Sequence, residues 1–216
     1  MAARTTGGAD VVSELLRRYP RTYAQELGVD RLDRPSDLFP LLVLALLMSA
    51  RIRASIAADA ATALFRNGWR TARAMAEASW EARARTLNRA GYARYDERTS
   101  AMLGETSQLL LDRYNGDLRR LRKEARHQPE TERRLLQECK GIGDVGTDIF
   151  FREVQCEWSE LYPFADKRAL QAAKRFGLAA DARALAELTS RGDFPRLINA
   201  LVRADLEHVS LRGDKR

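Results

Sequence analysis

The sequence predicts an all-α protein, for three reasons. Apolar residues recur at the three- and four-residue spacing of a helix face, as in Val11, Leu15 and Leu16. The apolar run from Leu38 to Ala50 has the length of a buried helix and is too short to cross a bilayer. No segment keeps the strict alternation that is typical of a half-buried strand, and no internal repeat occurs. A chain of 216 residues is long enough to bury a core in one compact domain or two small ones.

The predicted elements can be taken in order along the chain. The small and polar residues of the segment Met1–Gly8 predict a disordered tail. Pro35, Ser36 and Asp37 provide cap chemistry for the central helix, which places Pro40 in its first turn, where proline is tolerated. Asn-Gly pairs and single glycines end several later helices. The predicted helical segments are Asp10–Leu27, Leu38–Met48, Ala54–Phe65, Thr71–Ser79, Trp80–Leu87, Asp96–Tyr114, Thr131–Cys139, Asp166–Phe176, Ala180–Thr189 and Asp193–Leu211. A further helix is predicted to begin at Val145, and Phe150–Trp158 either continues it or forms a turn. Asp117–Gln128 is a charged segment.

Residues 135–151, LLQECKGIGDVGTDIFF, predict two helices joined by a tight turn, because apolar residues recur at helical spacing on both sides of Gly141 and Gly143. Glycines permit a positive φ and leave the backbone N–H groups uncovered, so the start of the second helix can face an anion. With Gly146 they also match the dinucleotide fingerprint, but that motif must follow a strand, and here it follows a charged helical segment. An ordinary helical hairpin remains an alternative.

Composition favours a polyanionic partner and excludes several kinds of site. The net charge is +7 and the sequence pI is about 9.8, mostly because of arginine, although an arginine-rich genome composition gives the same bias. The two cysteines and two histidines form no ligand cluster, so we expect no metal, no iron–sulfur cluster and no other cofactor. Isolated cysteines and an N-terminus without an apolar signal segment predict a reduced, cytoplasmic protein with no membrane segment.

The hairpin residues Leu136-x-x-Cys139-x-Gly141-Ile142-Gly143 resemble the helix-hairpin-helix of the endonuclease III-like DNA glycosylases, the HhH-GPD superfamily. Three further stretches resemble that family in its own order. LFPLLVLALLMSARI is similar to an apolar helix that ends in Leu-Leu-Ser-Ala-Gln, LNRAGYARYDERTSAMLGETSQLLLDRYNG to the Gly-Leu-Tyr-x-x-Lys-Ala helix, and YPFADKRALQAAKRFGL to Val-Asp-Thr-His-x-x-Arg-Val. Together these matches span Pro35 to Leu178.

The resemblance implies two helical lobes with DNA bound in a cleft between them. Residues 35–151 would form a six-helix lobe that ends in the hairpin, and residues 9–34 with 152–216 would form the second lobe. Asp166 would stabilise the oxocarbenium ion that forms as the N-glycosidic bond breaks and would orient the nucleophile. Asp166 is also a good N-cap, and the two roles are compatible. The implied DNA-binding residues are Lys140, Gly141, Ile142, Gly143, Val145, Gly146, Arg51 and Lys167.

Three departures from the family pattern refine the expected activity. Val145 occupies the position of the lysine that forms a Schiff base in bifunctional members, which implies a monofunctional enzyme without abasic-site lyase activity. Arg51 replaces a glutamine that, in the family, fills the space left by the flipped base. Arg51 could fill that space or contact the orphaned base, and it fits equally well as a charge at a solvated helix end. The cysteines that hold an iron–sulfur cluster are absent. Gly146 and Thr147 also weaken the match, Gly146 by adding flexibility to the second hairpin helix.

Several other residues fit both a functional and a structural interpretation. Arg94 and Arg152, like Lys140, are plausible phosphate contacts or ordinary surface charges. The aromatic residues Tyr92, Trp158, Tyr162 and Phe164 fit a base pocket or a core.

We therefore expect a monomeric, monofunctional DNA glycosylase that acts on a damaged or mispaired base in duplex DNA. The alternatives are a non-catalytic, structure-specific DNA-binding protein of the same fold and a helical protein–protein module.

Overall fold

The computed structural model describes residues 3–210, with side chains from Gly7 onward. These residues form helices and turns without a β-strand, which confirms the predicted all-α class. A π-helical turn, Asn88–Tyr92, and a 3-10 turn, Ser159–Leu161, supplement the α-helices. The α-helices of the described residues are α1 (Ala3–Arg18), α2 (Tyr23–Glu26), α3 (Pro35–Met48), α4 (Ala54–Arg66), α5 (Ala72–Glu77), α6 (Trp80–Leu87), α7 (Asp96–Tyr114), α8 (Leu118–Glu124), α9 (Pro129–Gln137), α10 (Asp144–Val154), α11 (Lys167–Arg175), α12 (Ala182–Ala186) and α13 (Phe194–Leu206).

The chain forms two compact units. The larger unit is Ala24–Phe150, and the smaller unit combines Met1–Tyr23 with Phe151–Arg216. Helix α10 begins in the larger unit and ends in the smaller one.

Residues 24–34, which we expected in the second lobe, belong to the larger unit in the structure. Val29 is buried there. The carbonyl of Gly28 accepts a hydrogen bond from Arg70 Nη2 at 3.5 Å, and the backbone N–H of Arg31 donates to Asp37 Oδ2 at 2.9 Å. The first of these contacts joins residues 42 positions apart in sequence, so spacing alone did not reveal the assignment.

Helix α3 lies at the centre of the core of the larger unit. Its residues from Leu38 to Leu47 are all buried, as expected for a helix that is apolar on every side, and it packs against α4 and α8. Among the described residues, no helix combines the length and the apolar character that a membrane span requires.

Helix α3 begins three residues earlier than predicted. Its N-cap is Arg34, whose side chain makes no cap hydrogen bond, and its first residue is Pro35. Pro40 therefore lies in the second turn rather than the first. A proline there removes one intrahelical hydrogen bond. The helix continues through it because the stability of a buried helix comes mainly from the packing of its apolar side chains.

The predicted N-terminal helix Asp10–Leu27 is two helices in the structure. Helix α1 ends at Arg18 and α2 begins at Tyr23, because Pro20 lacks a backbone N–H and disfavours the helical conformation of the preceding residue. Residues 3–8 of the predicted tail belong to α1. Met1, Ala2 and Leu211, which ends the last predicted helix, lie outside the described residues.

A buried arginine joins three helices of the larger unit. The guanidinium of Arg83 on α6 donates through Nε to the carbonyl of Ser100 on α7 at 3.1 Å. Its Nη1 donates to the carbonyls of Met75 and Ala78 at the end of α5. Gly104 is required beside it, because an added Cβ would lie 2.6 Å from Arg83 Nη2. Burial lowers the pKa of Arg83, but its carbonyl acceptors compensate for the lost water.

We expect Arg83→Met to destabilise the protein by about 2–4 kcal/mol, because it leaves three carbonyl acceptors without their charged donor. The measurement is the free energy of unfolding in a denaturant titration. Arg85→Met is the matched control, since Arg85 lies on the same helix and is exposed. Equal stability of the two variants would contradict this role for Arg83.

The smaller unit has its own apolar core, which is built mainly from α1, α11 and α13. Phe194 at the start of α13 packs edge-on against Tyr162, with ring centroids 5.4 Å apart. Trp158 is buried, which favours the structural interpretation of this residue. This core supports the segment that precedes α11 and carries Asp166.

Candidate nucleic-acid interface and carboxylate site

The turn between α9 and α10 has the predicted helix–turn–helix form, and Gly141 is essential to it. Gly141 has a φ of +90°, a conformation that side-chain-bearing residues rarely adopt. An added Cβ would lie 2.8 Å from Met102 Sδ and 3.2 Å from Leu46 Cγ. The hydroxyl of Thr106 donates to the carbonyl of Lys140 at 2.9 Å. Helices α3 and α7 therefore hold the turn from the inside.

Gly143 has a different environment. It is exposed, its φ lies outside the left-handed region, and nothing lies within 4 Å of the position of an added Cβ. Its carbonyl accepts a hydrogen bond from the Thr147 hydroxyl at 3.0 Å in the first turns of α10. Neither packing nor conformation requires glycine here, so the open space above the backbone is available to a molecule from outside.

The contrast between these two glycines gives a stability prediction. Gly141→Ala should destabilise the protein by about 2–4 kcal/mol, from left-handed backbone strain and from overlap with Met102 and Leu46. Gly143→Ala is the control and should change the free energy of unfolding by about 0.5 kcal/mol or less. Thermal and denaturant unfolding of both variants would test this, and a large loss in Gly143→Ala would contradict it.

Gly146 provides close packing rather than the flexibility that we expected. An added Cβ would lie 2.7 Å from Ser49 Oγ and 3.3 Å from Ile142 Cδ1. The Ser49 hydroxyl donates to the carbonyl of Ala45 at 2.7 Å, so it is held in that position. The glycine thus allows α10 to approach the C-terminal end of α3 closely.

A cavity of about 600 Å³ lies in the larger unit beside the hairpin turn. The turn residues Lys140–Gly143 form one wall, and Ser49 and Ala50 contribute from the end of α3. Tyr95 and Arg98 add an aromatic ring and a cation. An aromatic ring beside two cations, Arg98 and Lys140, is chemically suited to a nucleotide.

Two further groups in the cavity wall remain neutral at physiological pH. Burial raises the pKa of the Tyr92 hydroxyl to about 12, and this hydroxyl donates to the carbonyl of Leu47 at 2.8 Å. Burial also raises the pKa of the Cys139 thiol to about 12, so this residue is an inert core cysteine rather than a nucleophile.

The charges around the turn have both signs. Lys140 is exposed, as a phosphate contact requires. Asp144, the first residue of α10, is 86% exposed at its side chain and accepts a hydrogen bond from Gln137 Nε2 at 2.7 Å. The resemblance to the family motif does not indicate a role for this acidic group. Its negative charge disfavours binding of an anion at the same helix end.

Val145 follows Asp144 in the first turn of α10 and is 57% exposed, an unusual state for a large apolar side chain. The core therefore does not require it.

The other two predicted cationic contacts, Arg51 and Lys167, belong to different units. Arg51 is exposed immediately after the cavity residues Ser49 and Ala50, in the larger unit. Lys167 is exposed as the first residue of α11, in the smaller unit. Arg94 is also exposed and stacks over the Tyr95 ring, with its guanidinium carbon 5.4 Å from the centroid.

Asp166 is the N-cap of α11, as expected, and its carboxylate is almost completely buried. Oδ1 accepts hydrogen bonds from the backbone N–H groups of Arg168 at 2.9 Å and Ala169 at 3.2 Å. Oδ2 lies 2.8 Å from Arg152 Nε, and the two side chains are 5% and 9% exposed. This contact is an ion pair without an aligned hydrogen bond. The family resemblance implies a role for Asp166 but does not indicate its charged partner.

Neither interpretation of Arg152 from the sequence, a phosphate contact or a surface charge, is correct. Its side chain is buried against Asp166 instead of facing solvent. One turn later on the chain, the buried Gln155 side chain binds both sides of the Phe164 backbone. Its Oε1 accepts from the Phe164 N–H at 2.8 Å, and its Nε2 donates to the Phe164 carbonyl at 3.2 Å. These two side chains therefore fix the segment that carries Asp166.

No group of three or more potential metal ligands occurs among the described residues.

Of the aromatic candidates in the smaller unit, Tyr162 and Phe164 are half-buried. Phe164 packs edge-on against Phe151, with centroids 5.5 Å apart. Arg191 lies over Tyr162 at 4.4 Å. These contacts explain both rings as packing elements.

No protein-family model and no curated protein sequence matches this chain. Among solved structures, the chain is similar to a trapped covalent intermediate of endonuclease III with DNA, an estranged-adenine complex. The TM-score is 0.54 at 15% sequence identity, and the match covers 94% of this chain and 86% of the other. At this level of identity the similarity establishes a shared helical fold.

Proposed function

We propose that this protein is a DNA glycosylase that removes a damaged or mispaired base from duplex DNA and leaves an abasic site. The observation that carries the proposal is the fixed, buried carboxylate of Asp166 at the N-terminus of α11, downstream of the hairpin. Cleavage of an N-glycosidic bond develops positive charge on the sugar, which a positioned carboxylate stabilises. The fold similarity to an endonuclease III–DNA complex supports DNA as the partner.

The hairpin turn is the proposed contact with the DNA backbone. Gly143 leaves open space above the start of α10, and Lys140 supplies an exposed cation. Backbone N–H groups at a helix N-terminus bind phosphate without reading sequence. This kind of binding weakens as salt rises, with a slope set by the number of neutralised phosphates. A helical protein–protein module, one of the two alternatives, would have no such salt-dependent affinity for duplex DNA.

Val145 supports a monofunctional enzyme, because valine cannot form a Schiff base with the sugar. In this mechanism water attacks the sugar carbon, the bond to the base breaks, and the base leaves with a proton. Asp166 stabilises the cationic sugar through its negative charge. The DNA strand stays intact at the abasic site.

A non-catalytic, structure-specific DNA-binding protein is the second candidate. The engagement of both Asp166 oxygens, together with the exposed Val145, favours it. Base release separates the two functions. Duplexes with alkylated purines, oxidised pyrimidines or mispairs would be incubated with the protein and analysed with and without alkali. Nicks that appear only after alkali support the glycosylase. Intact strands across all substrates, with duplex binding retained, support the non-catalytic protein.

Asp144→Asn tests the hairpin as the DNA contact. Removing an exposed negative charge from a phosphate-binding helix end should tighten duplex binding about two- to fivefold at low salt. Asp112→Asn is the matched control, because Asp112 is exposed and accepts from Gln108 Nε2 at 2.7 Å, as Asp144 does from Gln137. Fluorescence anisotropy over a salt series would measure both. Equal affinities for the two variants would place the DNA contact elsewhere.

A further inference from the structure

Asp166 is held by one side chain from another helix as well as by the backbone of its own helix. Its Oδ1 accepts hydrogen bonds from two backbone N–H groups of α11, and its Oδ2 contacts Arg152 on α10. A carboxylate with one oxygen fixed can still turn about its side-chain bonds. The second contact removes that freedom and gives the group one orientation.

We propose that Arg152 is a positioning residue for Asp166, an inference that rests on the proposed glycosylase function. Arg152 is too deeply buried to serve as a phosphate contact, and its Nε lies 2.8 Å from Oδ2 of the Asp166 carboxylate. Gln155 has a related role. It follows the end of α10, and its side chain forms two hydrogen bonds with the backbone of Phe164, two residues before Asp166. The C-terminal part of α10 thereby determines where the carboxylate lies.

The proposed benefit of Arg152 is orientation of the carboxylate rather than its own charge. A guanidinium beside the carboxylate reduces the attraction that the carboxylate exerts on a cationic sugar. Arg152 therefore contributes by orientation, since small displacements of a catalytic group reduce the rate strongly. Two other cations at the start of α11 do not replace it: Lys167 is exposed, and Arg168 Nε lies 3.6 Å from Asp205 Oδ2 on α13.

The first test separates binding from chemistry. In Arg152→Met, kcat for base release should fall about 10- to 100-fold, while KM and duplex Kd stay within about twofold. Arg152→Lys, which keeps a cation on a flexible chain, should recover part of the loss. Arg183→Met is the control, because Arg183 is an exposed arginine of the smaller unit. An unchanged or raised kcat in folded Arg152→Met would overturn the proposal.

The second test needs no enzymatic activity, so it distinguishes failure of this inference from failure of the proposed function. Hydrogen exchange of the Arg168 and Ala169 amides reports on their bonds to Asp166 Oδ1. We expect exchange of both amides to accelerate at least about tenfold in Arg152→Met. The Ala184 amide, which donates to the cap Asp181, should be unaffected. Unchanged protection at both amides would overturn the positioning role, whether or not the native protein releases a base.

Discussion

Asp166→Asn should reduce base release at least about 100-fold, because the variant lacks the negative charge that stabilises the cationic sugar. Asparagine is nearly as good an N-cap as aspartate, so its carbonyl oxygen can still accept from the amides of α11. Loss of activity in this variant therefore cannot be attributed to loss of the cap. The measurement is single-turnover base release from the duplex that the native protein processes best.

The same substitution leaves Arg152 as a buried cation without its carboxylate partner. We expect the free energy of unfolding to fall by about 3 kcal/mol for that reason. Activity must therefore be measured below the melting temperature of the variant. The double variant Asp166→Asn with Arg152→Met should regain much of the stability but none of the activity, because it removes both charges.

Asp181→Asn is the matched control for the cap. Asp181 caps α12 through a hydrogen bond from the Ala184 N–H at 2.9 Å, and it is exposed. We expect normal base release and a small change in stability. If folded Asp166→Asn released base as fast as the native protein, Asp166 would be a helix cap only, and the glycosylase proposal would lose its catalytic group.

The fold class and the hairpin could be predicted because both depend on local sequence. Helical periodicity and the pair Gly141 and Gly143 act within a few residues of the chain. The sequence also predicted the cap at Asp166, which forms with the next residues of α11. The boundary errors have local causes as well. Pro20 divides the predicted first helix, and α3 starts at Pro35 without a side-chain cap.

The environment of each candidate group could not be predicted, because it depends on residues far apart in sequence. The sequence alone favours a phosphate contact or a surface charge at Arg152, whereas the fold buries it against Asp166, 14 positions along the chain. The different requirements at Gly141 and Gly146 depend on Met102 of α7 and on Leu46 and Ser49 at the C-terminal end of α3. Pairwise packing of this kind leaves no periodic pattern in a single sequence.

Val145→Lys should convert the protein into one that forms a covalent adduct with abasic-site DNA. In bifunctional members of the resembling family, a lysine at this position of the hairpin attacks the sugar. The amine would add to the C1′ aldehyde of the ring-opened abasic sugar, water would leave, and borohydride would reduce the resulting imine. Val145 is 57% exposed, so the substitution buries no charge. A cation in the first turn of α10 should cost only about 0.3–1 kcal/mol.

The borohydride-trapped adduct would be measured on a denaturing gel, with the native protein and Val145→Met as controls. Methionine matches much of the length of lysine but has no amine. The native protein contains the exposed Lys140 five residues earlier, so the absence of an adduct there would establish that a nearby lysine is insufficient. An adduct in Val145→Lys alone would place residue 145 beside the sugar. Duplex binding without an adduct in that variant would mean that this hairpin does not present its helix start to the sugar.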